Sequence, residues 1–155
     1  MSTTRARLLA IAIVAATGAT AALVVTTSSR GAKGPSRHDY LAQARAICRQ
    51  FNDRLDRIPP IQDPTLLGTV IESTNAALPV LTEQARRIQA LTPPRDLRAS
   101  VAQFFTLTDQ SLETLQAVRD AARNLDSNNV GMELIRFGKE TAAAKRVGSR
   151  IGYRC

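Results

Sequence analysis

The sequence predicts an all-α protein: an N-terminal transmembrane or signal helix followed by an antiparallel up-down four-helix bundle. Three observations predict it. Residues 8–25, LLAIAIVAATGATAALVV, carry no charge, and an apolar helix of about 18–20 residues is long enough to cross a bilayer. Beyond them, apolar residues recur at spacings of three and four along four stretches, which is the period of one helix face. The breaks between stretches are short, and short connections favour antiparallel neighbours in a bundle.

The first element is the apolar run. Arg5 and Arg7 precede it, within a short n-region of residues 1–7 expected on the cytoplasmic side. Residues 8–27 then read as a signal anchor or a signal peptide. Cleaved signals usually have a shorter apolar core, about 7–15 residues, followed by an A-x-A site. Ala19-Thr20-Ala21 fits such a site, whereas Ala22 to Val25 keep the following segment apolar. A retained single-pass anchor and a secreted protein cleaved near Ala21 are therefore both open. No Cys stands just after the apolar core, so a lipid anchor lacks its acceptor. Basic residues flank both ends (Arg5 and Arg7; Arg30, Lys33 and Arg37), so the positive-inside bias does not set the orientation.

Residues 28–36, SSRGAKGPS, are small, polar and bear Gly and Pro, as a linker does. Residues 37–155 are the expected domain. Ser36 and Asp39 have the spacing of a capping box. Helix 1 should then run to about Ile58, with Leu41, Ala44, Cys48, Phe51, Leu55 and Ile58 on one face and Pro59-Pro60 as its stop. Helix 2 should open at Asp63-Pro64, an N-cap with Pro at the first helical position. Its stripe is Leu67, Val70, Thr74, Leu78, Leu81, Ala85 and Ile88. The stripe stays in phase across Pro79, which predicts one kinked helix. Thr92-Pro93-Pro94 should end helix 2 and start helix 3, whose stripe runs from Leu97 through Val101, Phe104, Leu112, Leu115 and Val118 to Leu125, with Phe105 beside it. Residues 126–129 read as a loop with a ready N-cap, and helix 4 as residues 130–151. Its inner face should carry Leu134, Ile135, Gly138, Thr141, Ala142, Ala144, Val147, Gly148 and Ile151.

The two cysteines are Cys48, on the stripe of helix 1, and Cys155. In an exported chain a pair reads as one disulfide. It would close a loop of about 107 residues and contribute on the order of 4–5 kcal/mol on the chain-entropy model. It would place the domain outside the cytoplasm, with the anchor N-in and C-out.

Composition narrows the function classes. The formal net charge is +8, with 21 basic and 13 acidic residues. Arg5, Arg7 and Arg30 account for three of the basic residues, which leaves 18 beyond Arg30. The export signal and the lack of a dense aromatic-basic run argue against nucleic acid. The one histidine, His38, stands at the linker edge. Glu-x-x-His pairs, a haem-attachment motif and a Gly-rich phosphate loop are lacking, so no cofactor, metal or catalytic set is expected. Asp109 and Glu113 are one helical turn apart, and such pairs are more often a solvated face than an acid-base site.

In an up-down bundle one pole gathers the chain entry, the turn between helices 2 and 3 and the end of helix 4. Arg37, Arg86, Arg87, Arg95, Arg98, Arg146 and Arg150 fall there as candidate contacts for anionic lipid headgroups. A candidate pocket is placed beside the Pro79 kink, at Leu78, Pro79, Phe104 and Phe105. The expected role is a membrane-anchored extracytoplasmic interaction or structural module with an unidentified protein partner. The alternative is an envelope sensor or small-ligand-binding bundle.

Ala44-Arg45-Ala46-Ile47-Cys48, the mid-helix Ala77-Leu78-Pro79, the turn from Leu91 to Arg98 (L-T-P-P-R-D-L-R) and the terminal Cys occur together. In this the chain resembles uncharacterised actinobacterial small exported or membrane-anchored helical proteins with a Cys–Cys pair, over about residues 40–155. The resemblance implies fold rather than activity.

Overall fold

The computed structural model of the chain describes residues 34–153. The expected anchor at residues 8–27, most of the linker and Cys155 lie outside them. The described residues form four α-helices and no strand: α1 (Arg37–Leu55), α2 (Leu67–Gln89), α3 (Arg98–Arg123) and α4 (Ser127–Ile151), with a 3-10 turn Arg95–Leu97 leading into α3. None of the helices is long and apolar enough to cross a membrane. The described residues make a compact unit.

Two hydrophobic cores occupy the two ends of this bundle. At one end Tyr40, Ala44 and Cys48 of α1 meet Ile88 of α2, Leu97, and Val101 and Phe105 of α3. Val147 and Ile151 of α4, with Tyr153, complete that core. At the other end Val70 of α2, Val118, Ala121 and Ala122 of α3 and Val130 of α4 pack together. The last turns of α2 and α4 thus meet the first turns of α3, and the first turns of α2 and α4 meet its last. That is up-down-up packing. α3 is the central element, with its most extensive contacts to α4 and then α2. α1 joins only the first core. In the second its place is taken by the loop that follows it, where Ile61 packs on the cluster and Pro59 O accepts a bond from the Ser73 hydroxyl at 2.7 Å.

Local chemistry explains the boundaries. Ser36 caps α1 through a bond from Asp39 N at 3.1 Å, and the Ser36 hydroxyl donates to the Asp39 carboxylate at 2.7 Å. These bonds hold the Asp39 carboxyl below the usual carboxylate range. The helix stops at Leu55, three residues before Ile58, because Pro59 disfavours helical backbone in the residue before it. α2 does not open at Asp63-Pro64. Asp63 Oδ1 accepts instead from Thr65 N (2.8 Å) and the Thr65 hydroxyl (2.7 Å), closing a turn on itself. That leaves the helix to start at Leu67, with no side-chain cap.

α2 continues unbroken through Pro79, as the in-phase stripe requires. Pro79 is exposed. The carbonyl of Asn75 loses its helical partner there, and Asn75 is itself exposed to water. α4 starts earlier than residue 130, because Asp126 takes Asn129 N at 3.0 Å and the helix follows at once from Ser127. Ile135, expected on the inner face, is instead 63% exposed. Gly138 and Ala142 are exposed too, while Val130 and Phe137 join the expected Leu134, Thr141 and Ala144 on the α4 face.

α4 ends in a Schellman arrangement. Gly152 takes φ +102°, Tyr153 N donates to Gly148 O (2.8 Å), and Gly152 N donates to Ser149 O (3.2 Å). A side chain at Gly152 would be strained there and would meet Leu41. α1 adds a cap from outside: Arg37 Nη2 donates to Ile151 O and Arg45 Nη2 to Gly152 O, each at 3.3 Å. Guanidinium groups at the carbonyl end of a helix suit both its orphan acceptors and its dipole. The Tyr40 and Tyr153 hydroxyls bond to each other inside the same core.

Candidate functional site: a cavity beneath a basic pole

The two cores do not meet. Between them the buried positions are Leu78 and Thr74 on α2 and Ser111, Thr114 and Leu115 on α3. A cavity of about 440 Å³ lies beside this waist. α2 lines it with Leu81, Gln84, Ala85 and Ile88. α3 contributes Phe104, Phe105, Thr108, Ser111 and Leu112, while α4 contributes Phe137, Thr141, Ala144, Lys145, Gly148 and Ser149, with Tyr153 at one end. The wall is mostly apolar. Phe104 stacks edge-on against both Phe105 and Tyr153, with ring centroids 5.3 and 4.9 Å away. Gly148 lets the Phe104 ring sit close, since a Cβ there would lie 3.1 Å from the ring.

The wall hydroxyls are already committed. Thr108 donates to Phe104 O (2.9 Å), Ser111 to Leu107 O (2.9 Å), Thr141 to Phe137 O (2.8 Å) and Ser149 to Lys145 O (2.8 Å). Two donors in the wall are not. Gln84 Nε2 is buried without a hydrogen-bond partner. Lys145 is exposed at the rim and takes part in no ion pair of the described residues.

Of the residues expected to form a pocket, Phe104 and Phe105 line this cavity, and Leu78 and Pro79 do not. Leu78 is buried and Pro79 faces solvent, so the proline opens nothing. The small residues of the lining are Ala85 and Ala144, which sequence periodicity registers as ordinary small core residues.

The expected basic residues do gather at the pole where the chain enters, but they divide into two groups. Arg86 and Arg87 both bond Glu83, at 2.8 Å each. They pull the Glu83 carboxyl down to about 2, with the Arg86 bond the larger cause. Arg87 also bonds Gln50 (3.1 Å) and lies over the Phe51 ring, tying α2 to α1. Arg37 caps α4 and sits 3.8 Å from Asp96. These three serve the fold. Arg95, Arg98, Arg146 and Arg150 are exposed and have no ionic partner among the described residues. Arg146 and Arg150, with Lys145, border a shallow groove between α3 and α4.

Asp109 and Glu113 are both exposed on α3, and His38 is exposed at the domain entry. Among the described residues no group of three or more His, Cys, Asp or Glu side chains could hold a metal ion. Cys48 is buried in the first core. No family model, no curated protein and no solved structure matches this chain.

Proposed function

We propose that the chain is a membrane-anchored, extracytoplasmic helical interaction module that rests on an anionic surface by its basic pole. The observation that carries this is the set of four exposed arginines, Arg95, Arg98, Arg146 and Arg150, on helix ends that the bundle brings to the pole where the chain enters. Two of them, Arg95 and Arg98, stand at a helix start, where the helix dipole disfavours a cation. Neither capping nor ion pairing accounts for them, and a surface of anionic headgroups does. In this reading residues 8–27 are the anchor and a Cys48–Cys155 bridge ties α1 to the chain end on the oxidising side. The resemblance to small exported actinobacterial proteins agrees with it. Cleavage near Ala21 would leave a secreted domain with the same pole.

Vesicle co-sedimentation of residues 34–155 tests the reading. Binding to phosphatidylglycerol vesicles should fall steeply with salt and be weak on phosphatidylcholine. Each charge near such a surface contributes about 1 kcal/mol. Replacing all four arginines by Gln should therefore weaken binding on the order of 10³-fold. Binding indifferent to salt and to anionic lipid would end the proposal.

A second reading, a small-ligand-binding bundle, is favoured by the cavity, whose volume falls in the range of about 300–1,000 Å³ typical of ligand sites.

A further inference from the structure

We infer that the cavity between α2, α3 and α4 is a binding site for a single-chain amphiphile with a carboxylate head, an alkanoate. This deepens the ligand-binding reading and is independent of the basic pole's role.

Three features of the wall define the ligand. Its body is apolar: Leu81, Ile88, Phe104, Phe105, Leu112 and Phe137 surround a space far larger than one water, with the hydroxyls between them turned back onto their own helices. A linear hydrocarbon chain makes no demand for hydrogen bonds that such a wall cannot meet. Its head is set by Lys145, the one charged residue of the lining, whose ammonium at the rim is a hydrogen-bond donor. Its charge is negative, because Lys145 has no carboxylate partner and no acidic side chain lines the cavity. An amine head would meet the lysine with like charge, and a hydroxyl head would bring it no opposite charge.

The small residues make the site testable without touching its polar groups. Ala85 and Ala144 both face the space and are each 7% exposed. Larger apolar side chains there fill it from opposite sides.

The experiment is calorimetric titration of residues 34–155, in which both cores are complete, with dodecanoate, dodecanol and dodecylamine below their aggregation limits. Dodecanoate should bind saturably at one equivalent, with dodecanol weaker and dodecylamine weakest. Lys145→Gln should weaken dodecanoate by about tenfold, the usual scale of one charge-assisted hydrogen bond. It should leave dodecanol within a factor of about two. Ala144→Phe should abolish binding of all three while circular dichroism shows helix content retained. Should that variant fail to fold, Ala85→Leu replaces it with the same expectation. Absence of saturable dodecanoate binding would overturn the inference. So would binding that survives the filling variants, or dodecylamine binding as tightly as dodecanoate. Replacing the four pole arginines should leave dodecanoate affinity unchanged, which separates this result from the vesicle experiment.

Discussion

Leu125 is, among the described residues, the one non-glycine residue at positive φ, at +60°. It ends α3 in a Schellman arrangement, with Asp126 N donating to Ala121 O (3.0 Å) and Leu125 N to Ala122 O (3.1 Å). Its spacing fits the α3 stripe, yet its side chain is 78% exposed. Periodicity cannot see the termination, because Leu is a strong helix former and Gly is the residue that usually announces this cap. A left-handed backbone costs an ordinary residue about 1–2 kcal/mol, and the extra freedom of an unfolded glycine offsets about 0.5–1 kcal/mol of that. Leu125→Gly should therefore stabilise the fold by roughly 0.5–1 kcal/mol. Urea denaturation would show this as a higher midpoint at unchanged slope. Ile135 is the same kind of departure: apolar, in phase with its neighbours, and outside.

At the scale of elements, the helices themselves were legible, and their ends less so. Four stripes, a capping pair at Ser36 and Asp39, and the in-phase run across Pro79 all reappear in the structure. Asp63-Pro64 misled because an aspartate can cap a helix or close a turn. Thr65, with both an N–H and a hydroxyl in reach, drew it into the turn. What no single element reveals is the junction of α1 with the end of α4. There burial pushes the Tyr40 and Tyr153 hydroxyls up from the ordinary tyrosine value, with Tyr153 raised the further. A phenol whose folded pKa is raised binds its proton more tightly folded than unfolded. Its contribution is complete below the unfolded value, about 10, and is lost as pH rises above it. Stability should accordingly decline from about pH 10 upward. Tyr153→Phe alone strands the Tyr40 hydroxyl and should cost about 1–3 kcal/mol at neutral pH. The double Tyr40→Phe, Tyr153→Phe variant leaves neither hydroxyl unpaired, so it should recover most of that loss and flatten the alkaline decline. Thermal melts from pH 7 to 11 separate these outcomes.

At the scale of the molecule, the all-helical bundle was readable because each helix hides one face and the breaks between helices are short. The basic pole was readable in position. Its division into arginines that cap or pair and arginines left over was not, since it depends on Glu83 and on the carbonyls of Ile151 and Gly152 lying within reach. The cavity was expected beside Leu78, Pro79, Phe104 and Phe105, and the two phenylalanines line it. Proline suggested a hinge, whereas the small residues of the lining are Ala85 on α2 and Ala144 on α4. Such a coincidence exists only after folding, and no window of sequence contains it.

α1 packs less extensively on its sequence neighbour α2 than α2 and α4 pack on α3, and its tie to the end of α4, the bond between Tyr40 and Tyr153, joins residues 113 positions apart. Chain closure is entropically dearer the longer the loop, and local contacts are made first. Without a covalent tie between its ends, the domain should therefore assemble as a three-helix hairpin stack onto which α1 docks last. Hydrogen exchange under reducing conditions should find the α1 amides opening at a lower free energy than those of α3, as a separate cooperative unit. Uniform protection across all four helices would contradict that order.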